Sequence, residues 1–346
     1  INGYTIALAA LLMPIGAIGD RFGRKHILLA GLGVFAVANV LASLATSPAQ
    51  LIAFRVLAGA GAAMIMPVTL SVITSTFPEA ERGRAVGIWA GFAGGGGILG
   101  LLSSAILVDN FTWPWLFVGP VALSLVAAAF TVRFVPRSRE HSEGRFDVGG
   151  SLLSALAVGG LVLGIHEGPE VGWTSGVALL GLLVGVASLI GFVVWERRQE
   201  HPLLDVRVFS NRSLAAGSLG LTVSFAIIMG LFLVLVQFLQ AVLGYSAVRA
   251  AVGLLPMIAV MMPLSAAATG MAQRFGLRVM MTAGNIATAA GLVLLALMAS
   301  ADGGYWPILP GILLLGLGMG LSMSPGTAAI TASLPEEKQG VASALN

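Results

Sequence analysis

Few side chains in this sequence have both the type and the setting to do chemistry. Arg55 stands alone inside an apolar run, Leu51-Ile-Ala-Phe-Arg55-Val-Leu-Ala-Gly59-Ala-Gly61. A cation near the centre of a membrane helix costs roughly 2.5–3.5 kcal/mol on insertion scales. Arg55 must therefore face a cavity or an acidic partner, or reach the external headgroups along its own stem. A second cluster, Gly16-Ala-Ile-Gly19-Asp20-Arg21-Phe-Gly23-Arg24-Lys25, gathers one acid and three cations between two apolar runs. Asp20 falls where a helix ends and its dipole disfavours negative charge, so it needs a cationic or helix-N-terminal partner. Gly16 and Gly19 clear a helix face for close approach, Gly23 permits a tight turn, and Arg21, Arg24 and Lys25 are expected at anionic headgroups. A third stretch runs from Gly87 to Ala105, with small faces at Gly87/Gly91/Gly95 and Gly96/Gly100 that suit tight helix crossing. What such groups can do is move charge in a low dielectric. The chain has no cysteine, its four histidines (His26, His141, His166, His201) have no ligand spacing, and no acid sits inside an apolar run to serve as a base. The sequence therefore assembles neither a metal centre nor a hydrolytic constellation.

The elements that must hold these groups are membrane spans. The 346 residues are 57% hydrophobic and 10% charged, whereas a soluble domain carries about 25% charged residues. The net charge of +3 is too small for a nucleic-acid surface. A span needs roughly 20 mostly apolar residues, which predicts helices near 3–19, 27–46, 50–76, 85–108, 115–135, 148–166, 175–195, 214–241, 248–272, 279–298 and 307–331, with a twelfth starting near 340. Alternate loops (20–26, 78–84, 136–147, 196–213, 273–278, 335–340) hold fifteen of the eighteen Lys and Arg residues. The other five, at 47–49, 109–114, 167–174, 242–247 and 299–306, hold none. The basic loops are therefore cytoplasmic. Miscounting one span would scramble this alternation, so charge checks the helix count. Trp113, Trp115, Trp173, Tyr245 and Trp306 on the opposite side are placed as interfacial aromatics.

The chain also repeats itself. Gly19-Asp20-Arg21-Phe22-Gly23 and Ala30-Gly31 return as Ala272-Gln273-Arg274-Phe275-Gly276 and Ala283-Gly284, at an offset of 253. Phe77-Pro78-Glu79 and Gly83 return as Leu334-Pro335-Glu336 and Gly340, at an offset of 257. Two halves in the same orientation are parallel repeats, and the offset spans eight helices. The expected organisation is a first half at 1–135, two inserted helices with cytoplasmic loops at 136–213, and a second half at 214–346. The expected fold is all-α and polytopic.

The loop cluster at 16–25 resembles the signature of the major facilitator superfamily. Trp195-Glu196-Arg197-Arg198, His201-Pro202-Leu203, Phe209, Asn211-Arg212 and Gln240-Ala-Val-Leu-Gly244-Tyr245-Ser246 resemble its fourteen-helix drug:proton antiporter branch. The resemblance implies a chain that runs from the second helix of fourteen into the thirteenth, without the first helix or the last one to two. It implies alternating access by two rocking halves, with Gly16, Gly19, Asp20, Arg21, Gly23, Arg24 and Lys25 in a conformational latch, one-sided here because Gln273 replaces the acid. Arg55 would belong to proton coupling. Gly91, Gly95, Gly96 and Gly100 would form an antiporter-like helix, although Leu101 and Ser104-Ala105 stand where exporters carry proline and Gly-Gly.

Further expectations follow from that resemblance. The protein would export small hydrophobic or cationic compounds across the plasma (inner) membrane, coupled to protons and with no cofactor beyond the proton gradient. It would act as a monomer in the lipid bilayer without nucleic acid. A metabolite facilitator or symporter of the same superfamily is the alternative. Trp89, Phe92, Gln237 and Met257 are candidate substrate contacts. Asn39, Gln237, Gln240 and Asn285 read as interhelical hydrogen-bonding groups. Met64, Met66, Met257, Met261, Met262, Met319 and Met323 could line an adaptable cavity or pack in the core.

Overall fold

A backbone in hydrocarbon must satisfy its own N–H and C=O groups, which leaves helices as the open choice for a sequence with these runs. The computed structural model describes residues 3–136, 146–200, 202–207 and 212–332. In chain order the helices are α1 (Gly3–Phe22), α2 (Arg24–Ser43), α3 (Pro48–Thr76), α4 (Glu79–Asn110), α5 (Trp115–Phe134), α6 (Val148–Val171), α7 (Gly176–Glu196), α8 (Arg212–Gln237), α9 (Ala247–Phe275), α10 (Leu277–Met298) and α11 (Leu309–Ala332). All eleven are long and apolar enough to cross a membrane, and each matches one predicted span. The twelfth span near 340, and the repeat residues at 334–340, lie outside the described residues.

Packing sorts the helices into two units: α1, α2, α3, α5, α6 and α7 form the first, and α4, α8, α9, α10 and α11 form the second. This grouping differs from the sequence division at 1–135, 136–213 and 214–346. The inserted pair α6–α7 joins the first unit through α6 against α1, and α4 joins the second unit along α9. Small residues, not chain proximity, decide these partners.

In the first unit α1 lies between α3 and α6, while α2 packs on α3 and α5. The α6–α7 pair interlocks glycine on backbone. A Cβ at Gly160 would sit 2.8 Å from the nitrogen of Gly185, and one at Gly185 would sit 2.6 Å from the nitrogen of Leu161. At the N-terminus of α6 Asp147 caps the helix by accepting from the Gly150 N–H at 2.7 Å, and it accepts from Trp195 Nε1 at 2.9 Å. Buried Glu196 accepts from the Leu204 N–H at 3.2 Å. Leu203 and Leu204 then pack with Phe192 against Met13 and Ala17 of α1. This gives the Trp195-Glu196 and Pro202-Leu203 residues a physical role, because they fasten the connection after α7 onto α1.

In the second unit Leu254, Met257, Met261, Ile308, Ile312, Leu315, Met319 and Met323 form an apolar core. Four of the seven methionines are thus core residues, whereas Met66 is exposed. Asn39 is buried, but its amide donates to the Phe35 carbonyl of its own helix at 2.7 Å. The expected interhelical bond is replaced by one within α2, because the i−4 carbonyl is the nearest acceptor in a dry environment.

The internal repeat is visible in three dimensions, unit by unit. Gly23 and Gly276, at the offset of 253, both take positive φ (101° and 88°), which only glycine adopts without strain. A Cβ at Gly59 would run into the Tyr4 carbonyl, and one at Gly316 into the Met257 carbonyl. Gly61 and Gly318 press on Phe35 and Thr288, and Gly31 and Gly284 press on the Gly61 and Gly318 carbonyls. Each pair obeys the sequence offsets of 253 and 257, so the duplication lies in helix contacts as well as in loop residues.

Gly185→Leu is expected to cost about 1–3 kcal/mol by overpacking the α6–α7 seam. Its effect would appear as a lower melting temperature in detergent, and an unchanged melting curve would refute the backbone-on-backbone contact.

Candidate functional site

The charged cluster between α1 and α2 folds inward rather than out to the headgroups. Asp20 is 5% exposed and Arg24 2% exposed. Their ion pair closes at 3.1 Å, with Arg24 Nε donating to the same carboxylate oxygen at 3.2 Å. Ser71 Oγ of α3 donates to that oxygen at 3.3 Å. Asp20 thus has the cationic partner that its position at a helix C-terminus demands. Gly19 admits the approach, since a Cβ there would stand 2.9 Å from Val68 of α3. The expectation of three headgroup cations is corrected for two of them. Arg24 is drawn into the interior by Asp20, and Lys25 Nζ donates to the carbonyls of Val132 and Val135, at 2.9 and 2.7 Å. Those are C-terminal carbonyls of α5, where a cation completes the helix end. Arg21 is half-buried in the last turn of α1, and Gly16 is buried on the same helix.

Arg55 lies in the second turn of α3. Of the sequence alternatives for it, a cavity, an acidic partner or snorkelling, the acidic partner is not found among the described residues. Its guanidinium lies over the Tyr4 ring of α1, 4.5 Å from the centroid. Gly59, one turn along the same helix face, lets the α1 backbone at Tyr4 come close enough to put the ring there. Gly3 is crowded by Val56 in the same contact. Tyr4 was absent from the sequence candidates. Its signal was an aromatic in the span next to a lone arginine, legible only once α1 and α3 are known to touch.

In α4 the glycines divide by face. Gly87 packs on the Ser265 carbonyl of α9, where a Cβ would stand 2.6 Å away, and Ser265 Oγ donates to the Gly87 carbonyl at 3.1 Å. Gly91 and Gly95 look toward Met262 and Ile258, and Gly83 toward Thr269, which hydrogen-bonds Ser324 of α11 at 2.7 Å. Gly96 and Gly100 meet nothing within 4 Å among the described residues. The α9-facing stripe is 83/87/91/95, and 96 and 100 fall about a third of a turn or more away from it.

The whole chain, residues 1–346, matches the sequence model described as Major Facilitator Superfamily. The protein belongs to that superfamily. Multidrug resistance protein Stp of Mycobacterium tuberculosis is 31% identical over 346 residues, covering 100% of this chain and 64% of Stp. Puromycin resistance protein pur8 of Streptomyces alboniger is 33% identical over 352 residues, covering 100% of this chain and 69% of pur8. The chain thus spans less than two thirds of the length of Stp. Among solved structures, the human organic anion transporter MFSD10 superposes with a TM-score of 0.68 at 16% identity, over 99% of this chain and 72% of MFSD10. That similarity fixes the fold alone. With eleven membrane-capable helices, this superfamily member is a multi-pass protein of the bacterial inner membrane.

Within this fold the four candidate substrate contacts all lie in the second unit. Met257 is buried in the apolar core, Trp89 is half-buried, and Phe92 and Gln237 are exposed. Gln237 ends α8, and the chain continues through a π-helical turn at Phe238–Val242. A cleft of about 460 Å³ opens instead between α8 and α10, lined by Leu219, Val223, Ile227, Asn285, Thr288 and Leu292 among others. Only Asn285 of these was singled out from sequence. Just before α11 in the second unit, Tyr305 donates to the Gly253 carbonyl at 2.7 Å. Burial, and then neighbouring Tyr245, push its phenol above the ordinary value, so it remains a donor at working pH. Arg249 lies over the Tyr245 ring at 3.9 Å.

Two outcomes test this geometry. Asp20→Asn leaves Arg24 charged in a buried site, which typically costs about 3–5 kcal/mol. A cycle with Arg24→Gln, read by detergent melting, should show the double variant more stable than Asp20→Asn alone, and additive losses would refute the pairing. Gly87→Leu should lower the yield of folded protein, while Gly96→Ala should be neutral or gain up to about 1 kcal/mol; equal losses would refute the assigned face.

Proposed function

We propose that this superfamily member exports small hydrophobic or cationic compounds by proton antiport, alternately exposing a midplane site to each side of the membrane. The observation that carries the proposal is similarity along the entire chain to proteins named for multidrug and puromycin resistance. Arg55 supports the proton part of the reading. It is an intramembrane cation with no ion pair or hydrogen bond among the described residues, held only over a ring. Its field would favour the charged form of a carboxylate brought near it, and so favour proton release. Each proton crossing 100 mV supplies about 2.3 kcal/mol, enough for roughly a fortyfold concentration gradient of a neutral compound. The Asp20–Arg24–Ser71 cluster would act in the conformational change. We read the protein as a transporter and not an enzyme, working as a monomer with a small molecule, protons and lipid as its partners.

One feature favours the second reading, a facilitator or symporter of metabolites. Helix α4 runs 32 residues with no internal proline, so it lacks the residue expected to kink a direction-setting helix.

The test uses the complete transporter in everted vesicles, following ethidium with and without a proton gradient. Gradient-driven uptake that Arg55→Ala abolishes supports antiport with Arg55 in the coupling path. Equilibration indifferent to the gradient overturns antiport and promotes the facilitator.

A further inference from the structure

The repeat supplies an internal control for the Arg55 site. At the offsets of 253 and 257, Tyr4 corresponds to Met257, Arg55 to Ile312 and Gly59 to Gly316. Both copies build the same contact: a glycine of the later helix pressed on the carbonyl of residue 4 or 257 in the earlier one. In the second unit Met257 and Ile312 complete it as hydrocarbon, 6% and 0% exposed in the apolar core. Helix packing at this crossing therefore needs neither a ring nor a cation. The first unit carries both, and pays for a desolvated guanidinium that its counterpart avoids.

We propose that Tyr4 is a positioning residue for proton coupling: its ring face fixes the Arg55 guanidinium at the α1–α3 crossing without neutralising it. An acidic partner would hold the same side chain but cancel its charge and occupy its donors. A ring face attracts a cation through its quadrupole and leaves the N–H groups free to engage a carboxylate or an anionic group arriving during transport. The hydroxyl is not required for this; the face is. Gly59 sets the height of the ring, so its role is steric. The inference rests on the coupling role proposed for Arg55.

The test compares gradient-driven and downhill ethidium movement in everted vesicles of the complete transporter. Tyr4→Phe should retain coupling. Tyr4→Met, which installs the side chain of the second copy, should keep the protein folded and downhill movement intact. It should lower gradient-driven uptake about 5- to 30-fold, the range a desolvated cation–ring contact supports. Tyr4→Met/Arg55→Ile should melt no lower than wild type yet lose coupling. If Arg55→Ala leaves coupling intact, the coupling reading itself fails. If Arg55→Ala abolishes coupling while Tyr4→Met matches wild type, only the role of Tyr4 fails. Loss of coupling in Tyr4→Phe as in Tyr4→Met assigns the effect to the hydroxyl and overturns the proposal. Should Tyr4→Met reach the membrane poorly, Tyr4→Trp decides: wild-type or better coupling supports the ring face, and loss of coupling refutes it.

Discussion

The cost of an unsatisfied polar group in hydrocarbon governs the whole molecule. It forces the described chain into helices that bond their own backbones, and it drives most cations into alternate loops. It also explains how the exceptions are handled. Asp20 and Arg24 are buried together, because either alone would strand a charge, and Ser71 adds a donor to the shared oxygen. Lys25 is placed on α5 carbonyls that have no partner within their own helix. Arg55 is given the weakest of these accommodations, a ring face, and remains the group most available to other partners.

Close helix approach is the second requirement, since hydrophobic force does not press helices together in lipid. Glycine meets it wherever two backbones touch. In α4 this produces a division of labour along one helix, with Gly83, Gly87, Gly91 and Gly95 committed to α9 and Gly96 and Gly100 left open. A glycine-rich run thus carries two kinds of information, and spacing alone does not separate them.

What was legible in the sequence follows from these two forces. Span number was readable because hydropathy and the Lys/Arg alternation report the same constraint twice. The need of Asp20 for a cation was readable from the helix dipole. Which cation was not, because Arg21, Arg24 and Lys25 are equivalent until Gly23 turns the chain and brings Arg24 back onto Asp20. Tyr4 was missed because a cation–ring contact leaves no spacing signature between two helices fifty residues apart. Met257, attractive in the sequence as an adaptable thioether, is the repeat counterpart of Tyr4 and packs in the apolar core of the second unit, a placement that spacing alone does not reveal.

The duplication separates scaffold from chemistry in the motif itself. Gly23 and Gly276 keep the same backbone turn, yet Gln273 and Leu277 stand where Asp20 and Arg24 stand in the first copy, and both are exposed rather than buried. The turn therefore does not need the ion pair. In the second copy the earlier and later helices are tied by hydroxyls instead, Thr269 to Ser324, a bond without charge that shifts in pH would leave intact. The Tyr4–Arg55 crossing and its Met257–Ile312 counterpart show the same split. Two sites in the first unit carry charge where the second carries none, on helix contacts of the same geometry. Selection for stability alone gives no reason to keep a buried ion pair and a partly buried arginine on one side of a duplicated frame. The asymmetry assigns the frame to both halves and the charge handling to one.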